Sequence, residues 1–272
     1  MLGNNLLFEK KKLKDNFFLF KVCLTSILQK TCNLRRKESF MKRYVIAIAV
    51  IVVMSMLLSA QTGAVAENDK PIVPKEKMML WNGKDFSGWK LFTREPEHDV
   101  TKTWSVANGV VRCVGKPAGY MRTEKDYANY LFHVEWRWPG KGGNSGALVH
   151  MSGPDKVWPK SLECQLASGN AGDFWLIGEG RRYLENIETR EHAKGDDRVR
   201  GRRVRKLKAS SEKPLGQWNA YDIICKDDWV VVLVNGVLQN VATKCSITSG
   251  KICMQSEGTP VEFRNIYVEA LE

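Results

Sequence analysis

The stretch that decides the fold is Trp104-Ser105-Val106-Ala107-Asn108-Gly109-Val110-Val111-Arg112-Cys113. Two short β-prone runs flank Asn108-Gly109, the dipeptide that most strongly marks a two-residue hairpin turn. The run 230–234 leads through Asn235-Gly236 into Val237-Leu238 in the same way. The sequence therefore predicts two antiparallel hairpins.

Further runs alternate apolar and polar residues with the period of two that a half-buried strand requires. These runs are 131–138, 147–151, 162–166, 221–225, 252–255 and 261–268. About ten or more short strands without a sustained helical period indicate one all-β domain, an antiparallel jelly-roll β-sandwich. Residues 179–214 break the pattern with charge and no alternation, which predicts a long basic loop insertion. This loop is either a solvated excursion or a rim that touches an anionic or sugar ligand.

Alternation also assigns polar side chains to strand faces. In the run 131–138, Glu135 and Arg137 lie opposite the apolar residues, and in the run 162–166 Glu163 and Gln165 share one face. His150 is placed opposite the apolar residues of its own run. If these strands are neighbours, the five side chains line one sheet surface. Alternation alone leaves open whether that surface is an ordinary wet face or a carbohydrate groove.

The charge is unevenly distributed along the 272 residues. The whole chain has 42 Lys and Arg against 30 Asp and Glu, but residues 1–66 contain eleven of the basic residues and only three of the acidic ones. Residues 67–272 thus have a formal charge of only about +4, and the stretch 181–208 accounts for all of it. The composition does not support general nucleic-acid binding, and we expect no nucleic-acid partner.

The N-terminal region has the order of a secretory signal peptide that starts at Met41. Met41-Lys42-Arg43 is followed by the apolar run 44–58 and then by Ala64-Val65-Ala66, a typical cleavage site. We interpret residues 1–40 as a non-native upstream extension, 41–66 as the signal peptide, 67–77 as a linker and 78–272 as the domain. The expected location is periplasmic or secreted, with no stable membrane span after cleavage. The alternative is a retained anchor, although the run is just short of a span of roughly 20 residues.

Five cysteines follow residue 66, and they lack the C-x-x-C spacing of a zinc ribbon. They are Cys113, Cys164, Cys225, Cys245 and Cys253. A bridge between Cys245 and Cys253 is one option, whereas Cys164 and Cys225, each inside a strand-like run, are expected to be small buried hydrophobes. The four histidines form no H-E-x-x-H motif, so the sequence predicts no metal site and leaves any cofactor undetermined.

Four separated motifs stand in order along the chain: Leu80-Trp81-Asn82-Gly83-Lys84-Asp85-Phe86-Ser87-Gly88-Trp89, Asn144-Ser145-Gly146, Gly216-Gln217-Trp218-Asn219 with Tyr221, and Gln255-Ser256-Glu257-Gly258 leading to Phe263-Arg264-Asn265-Ile266. Together they resemble the 3-keto-disaccharide hydrolase domain family. The resemblance covers essentially 78–272 and implies a concanavalin A-like jelly roll. It also implies cleavage of glycosides whose glucose unit is oxidised at C3. The chain departs from the family where many members have His in place of Glu257.

The implied chemistry is an elimination followed by hydration, because a C3 ketone acidifies the C2 hydrogen. Such a route needs a general base near C2, donors for the enolate oxygen and an acid for the leaving oxygen. A retaining glycosidase would instead need a second carboxyl group, but Gln165 follows Glu163 on its face. The resemblance is safest at Glu163.

The hypothetical roles are therefore assigned as follows. Glu163 is the catalytic base or acid, and His150 is its partner in proton transfer. Arg137, Asn144 and Gln165 are orienting donors. The remaining candidate carbohydrate contacts are Glu135, Asp173, Trp175 and Glu257. The expected partner is an oxidised glucoside or disaccharide. Two alternatives remain open: a non-catalytic lectin-like domain of the cell envelope, and a structural envelope domain whose basic loop binds acidic polysaccharide.

Overall fold

The computed structural model describes residues 70–178, 188–189, 199–200 and 202–272. These residues lie within the compact unit Glu67–Glu272. The predicted extension, the signal peptide and most of the predicted basic loop lie outside the described residues. No helix in the described part of the chain is long and apolar enough to cross a membrane.

The described residues form two sheets in which every strand pair is antiparallel. The first sheet has the order β11-β16-β15-β14-β7-β18-β4-β3, and β1 pairs with β18. Its strands are β1 (Met78–Met79), β3 (Trp104–Ala107), β4 (Val110–Cys113), β7 (Tyr130–Arg137), β11 (Glu188–Thr189), β14 (Asn219–Lys226), β15 (Trp229–Val234), β16 (Val237–Thr243) and β18 (Val261–Glu269).

The second sheet has the order β12-β13-β10-β9-β8-β17-β5-β2, and β6 pairs with β17. Its strands are β2 (Trp89–Thr93), β5 (Gly119–Thr123), β6 (Tyr127–Ala128), β8 (Gly146–Ser152), β9 (Lys160–Gln165), β10 (Phe174–Ile177), β12 (Val199–Arg200), β13 (Arg203–Val204) and β17 (Ser249–Ser256). The predicted antiparallel jelly-roll sandwich is confirmed.

Both predicted hairpins are present, and their turns explain the choice of Asn-Gly. Asn108 and Gly109, between β3 and β4, have φ values of 53° and 76°, and Asn235 and Gly236, between β15 and β16, have 50° and 76°. Asparagine and glycine tolerate this left-handed conformation better than other residues, so the turns match the twist of the flanking strands.

The core lies between the two sheets and is filled by the inward positions of each strand. β7 alternates buried and half-buried residues over its whole length, so Phe132, Val134 and Trp136 face the core. From the second sheet, Val149 and Cys164 pack into the same cluster. Because this shared core fills the inner face of each sheet, the outward side chains of the two sheets lie on opposite surfaces of the sandwich.

The five described cysteines are all buried and free. The bridge considered between Cys245 and Cys253 is not formed. Cys164 and Cys225 are fully buried members of the core, as predicted. Burial raises the pKa of the Cys225 thiol to about 12, so this thiol is in its protonated, apolar form.

Candidate active site

A cleft of about 360 Å³ lies on the outer face of the second sheet. Five of the predicted site residues line it, namely Asn144, Glu163, Gln165, Trp175 and Glu257. Two residues outside the predicted set, Trp158 and Arg202, complete its walls together with Leu176 and Ile177. The volume falls within the range of small-molecule binding pockets.

The polar side chains of the cleft lie on the outer face of the second sheet because side chains alternate between the two faces of a strand. Glu163 of β9 pairs with Leu148 of β8 and with Trp175 of β10, so these residues share the outer face. Gly146 of β8 pairs with Gln165. A Cβ atom added at Gly146 would lie 2.5 Å from Glu163 Oε1 and 2.3 Å from Gln255 Oε1, so glycine is what allows both side chains to approach this strand.

Glu163 is the buried titratable group of the cleft, with only 4% of its surface exposed. Burial raises the pKa of Glu163 well above its ordinary value, repulsion from Glu257 raises it further, and hydrogen bonding with the Gln255 side chain opposes the change. Burial also raises the pKa of Glu257. Two carboxyl groups with raised pKa values in one cleft are typical of a catalytic site.

Three buried oxygens at this face have no hydrogen-bond partner among the described residues. They are Asn144 Oδ1, Glu163 Oε1 and Gln255 Oε1. Buried polar atoms are rarely left unsatisfied in folded proteins, so a cluster of such acceptors indicates a place for a ligand that brings donors. Sugar hydroxyl groups are donors of this kind.

Gln165 is oriented by the backbone. Its Oε1 accepts a hydrogen bond of 2.8 Å from Ala167 N. Because the amide oxygen is held there, the Nε2 group is the end of the side chain that remains for the cleft. Gln165 therefore offers a donor beside Glu163, whereas Asn144 Oδ1 offers an acceptor.

Trp158 lies on the loop between β8 and β9, and 44% of its surface is exposed. Asp155 anchors this loop to the second sheet, because its carboxylate accepts hydrogen bonds from Tyr120 Oη at 3.0 Å and from Arg122 Nε at 2.7 Å. Lys90 Nζ lies 2.8 Å from the same carboxylate. An exposed indole on a firmly attached loop can stack on a sugar ring.

A second compartment of about 580 Å³ adjoins the cleft and shares Trp158 and Glu257 with it. Its other walls include Arg94, His98 and Lys116. The two compartments, which share these two side chains as walls, are together called the groove, and Glu163 lines its first part only. In the described part of the chain, no group of three or more His, Cys, Asp or Glu side chains is placed to hold a metal ion.

The predicted placement of His150 is wrong. Strand β8 changes register between Val149 and Ser152, and His150 has a φ of 56°. This bulge turns the ring inward, where it packs edge-on against Tyr130 of the core and Nδ1 lies 3.0 Å from Ile247 O. Burial lowers the pKa of His150 to about 4, so the ring is neutral and does not line the cleft.

Glu135 and Arg137 are also separated from Glu163, because their strand, β7, belongs to the first sheet. Their outward face is on the opposite surface of the sandwich. Glu135 accepts hydrogen bonds from Arg264 and Asn265, and Arg137 Nε donates to Glu262 at 2.6 Å. The prediction that all these residues share one surface is therefore wrong, and the two side chains have structural partners instead.

Asp173 does not line the cleft either. Only 1% of its surface is exposed, and its carboxylate accepts hydrogen bonds from Arg203 Nε at 2.7 Å and from Lys206 N at 2.8 Å. This carboxylate holds the segment around β13, at the end of the predicted basic loop, against the neighbouring part of the second sheet. From that segment Arg202, which precedes β13, lines the cleft.

The missed residues differ in how far the sequence indicated them. Gln255 ends one of the alternating runs and opens the fourth motif, so its outward position could have been read from periodicity. The sequence gives partial signals for Trp158 and Arg202: a tryptophan in a loop suits stacking on a sugar ring, and Arg202 belongs to the basic loop for which a rim that touches a ligand is one of the two expectations. His98 lies in an irregular segment without a period, and nothing in the local sequence indicates that it lines the groove.

Fold and site together define a carbohydrate-related β-sandwich domain, with a buried carboxyl group and unsatisfied acceptors in a groove lined by tryptophan. A family profile described as the 3-keto-alpha-glucoside-1,2-lyase-like domain matches residues 76–269, and the chain belongs to this family. The resemblance found in the four sequence motifs is thereby confirmed.

Solved structures similar to this chain include two candidate glycosyl hydrolases from Parabacteroides distasonis. One is 26% identical with a TM-score of 0.49, and the comparison covers 73% of this chain and 95% of the other. The second is 18% identical with a TM-score of 0.50, covering 72% of this chain and 100% of the other, and this likeness shows the shared fold. No curated protein matches the chain.

Proposed function

We propose that this protein cleaves glycosides whose glucose unit carries a ketone at C3, by base-initiated elimination followed by hydration, with Glu163 as the base. The observation that carries the proposal is the Glu163 carboxyl group: it is buried in a ligand-sized cleft, its pKa is raised, and its Oε1 has no partner among the described residues. A carboxylate with a raised pKa is a stronger base than an ordinary glutamate at the pH at which both are ionised.

The steps follow from the polar groups of the cleft. Glu163 removes the proton from C2, and the electron pair of that C–H bond forms an enolate with the C3 carbonyl. Gln165 Nε2 is available to donate a hydrogen bond to the oxygen that becomes negative. The enolate expels the substituent at C1, giving a C1–C2 double bond conjugated to the ketone, and water then adds at C1 while a proton returns to C2.

The remaining groups hold the sugar. Asn144 Oδ1 accepts from a substrate hydroxyl group, and this accounts for a buried acceptor that has no partner within the described part of the chain. Trp158 and Trp175, both in the cleft lining, offer indole surfaces to the ring. The predicted secretion and the signal peptide fit a substrate found outside the cytoplasm and belong to the same proposal.

A second candidate is direct hydrolysis of unoxidised glycosides, and the pair Glu163 and Glu257 favours it. Both carboxyl groups line one cleft, and glycosidases ordinarily use two such groups, one as acid and one as nucleophile or base. The two candidates differ in their demand on the substrate: only the elimination requires the C3 ketone.

The test is an assay of aglycone release from 3-keto-glucosides and from their unoxidised parents. We expect the purified protein to cleave only the oxidised set, and Glu163→Gln to abolish cleavage. Glu135→Gln is a matched control, because it changes a strand glutamate on the opposite surface. Cleavage of the unoxidised set would establish the second candidate, and binding of sugars without release in every case would instead support a lectin-like domain.

A further inference from the structure

The adjoining compartment is lined by His98, and the hydrogen bonds around this residue determine which of its ring nitrogens carries a hydrogen. Thr103 Oγ1 lies 2.9 Å from Lys116 O, and since a carbonyl oxygen only accepts, the threonine hydroxyl donates its single hydrogen there. The same Oγ1 lies 2.8 Å from His98 Nε2. His98 Nε2 must therefore carry a hydrogen and donate it to Thr103, which is almost completely buried.

This chain of bonds leaves Nδ1 as the ring nitrogen of His98 that can gain and lose a proton. The backbone also holds the residue, because His98 N donates to Glu95 O at 3.0 Å. His98 lines the adjoining compartment, which meets the Glu163 cleft at Trp158 and Glu257. Histidine is the side chain best suited to proton transfer near neutral pH.

We propose that the adjoining compartment receives the leaving group of the substrate and that His98 Nδ1 donates the proton which the leaving oxygen requires. This inference rests on the proposed function and names a proton donor for the leaving oxygen in place of His150, which lies in the core. A sugar ring that meets Glu163 in the first part of the groove directs its C1 substituent along the groove, past Trp158, into the second part.

The loss of the leaving group transfers one electron pair and one proton. The enolate electron pair forms the C1–C2 double bond, and the C1–O bond breaks with its electron pair moving to oxygen. The proton on His98 Nδ1 passes to that oxygen, so the leaving group departs as a neutral alcohol and the imidazole becomes neutral. When water adds at C1, Nδ1 accepts one of its protons and the starting state is restored.

The charges around His98 are mixed. Arg94 and Lys116 line the same compartment, and Glu95 and Glu257 bring carboxyl groups to it. Asp99, close along the chain, is near enough for the imidazolium charge to lower its pKa, although hydrogen bonds from Thr101 are the larger cause.

The experiment compares leaving groups of different acidity. An alcohol needs a proton when it departs, whereas 4-nitrophenolate departs without one. We expect His98→Gln to lower kcat for an alkyl 3-keto-glucoside by about 10²-fold or more, the usual contribution of general acid catalysis, and to lower kcat for the 4-nitrophenyl 3-keto-glucoside by less than about 10-fold. Retained cleavage of the nitrophenyl substrate also shows that the variant is folded.

Two further variants sharpen the result. Thr103→Val keeps His98 but removes the acceptor of its Nε2 hydrogen, so we expect a smaller loss that is again confined to the alkyl substrate. His133→Gln, on the outer face of the first sheet, is the matched control and should leave both rates unchanged. Equal losses for both substrates in His98→Gln, or no loss in either, would overturn the inference while leaving the proposed function intact. A native protein that cleaves neither substrate would overturn both.

Discussion

The change Gly146→Ala tests whether cleavage depends on where the Glu163 carboxyl group lies. A Cβ atom at Gly146 would stand 2.5 Å from Glu163 Oε1, and recovering an ordinary contact of 3.4 Å moves that oxygen by about 0.9 Å. Gln255 Oε1, at 2.3 Å, must move as well. A displacement of about 1 Å at a catalytic group costs about 10²-fold in rate. We therefore expect kcat/KM for 3-keto-glucosides to fall roughly 100-fold, or about 2.7 kcal/mol of transition-state stabilisation.

Stability should change much less than activity. The backbone of Gly146 is not in the left-handed region, and the atoms that clash are the ends of flexible side chains facing a cleft. We expect a loss of about 1 kcal/mol in the free energy of unfolding, at the low end for an overpacked site. Thermal unfolding and steady-state kinetics measured on the same preparation separate the two effects.

Gly140→Ala is the matched control, because its Cβ would meet nothing within 4 Å and it lies in the connection that leads from β7 into β8. This variant should match the native protein in both measurements. Full activity in Gly146→Ala would refute the argument that the position of Glu163 controls the reaction. A loss of activity that merely parallels unfolding would refute it equally.

Four other results are expected. Because the pKa of Glu163 is raised in the folded state, its ionisation destabilises the fold as pH rises above about 4.5. Glu163→Gln should therefore raise Tm at pH 8 and have a smaller effect near pH 4, and an equal Tm at pH 8 would contradict this. Glu257→Gln removes a repelling charge, so the acidic limb of the kcat/KM profile should move to lower pH, and an upward shift would argue against the coupling. Asp173→Asn leaves Arg203 without its buried partner and should lower the free energy of unfolding, measured by chemical denaturation, by about 3 kcal/mol. A loss under about 1 kcal/mol would show that the ion pair contributes little to stability. Mass spectrometry of the mature protein should find Glu67 at the N-terminus, and any distant start would contradict the predicted signal peptide.

The part of the site that the sequence predicted depends on strand periodicity. The sequence predicts Glu163 and Gln165 on one face because residues two apart on a strand share a face, and β9 pairs with β10 without a register shift. The predicted position of His150 is wrong because a bulge in β8 breaks that rule, and the local sequence does not indicate the bulge. Glu135 was correctly predicted to point outward but from the wrong sheet, since alternation says nothing about which strands become neighbours.

The sequence by itself determined the alternating strands, the two Asn-Gly hairpin turns, and the inward and outward faces of regular strands. These properties are local, because they follow from side-chain period and from the backbone preferences of Asn-Gly turns. It also determined the family, through four motifs that occur in order along the chain. Only the tertiary structure decided that β7 and β9 lie in different sheets, and that Trp158, Glu257 and His98 meet along one groove. Such contacts join segments far apart in the chain. The Thr103 hydroxyl decides which ring nitrogen of His98 carries a hydrogen, because it donates its own hydrogen to Lys116 O.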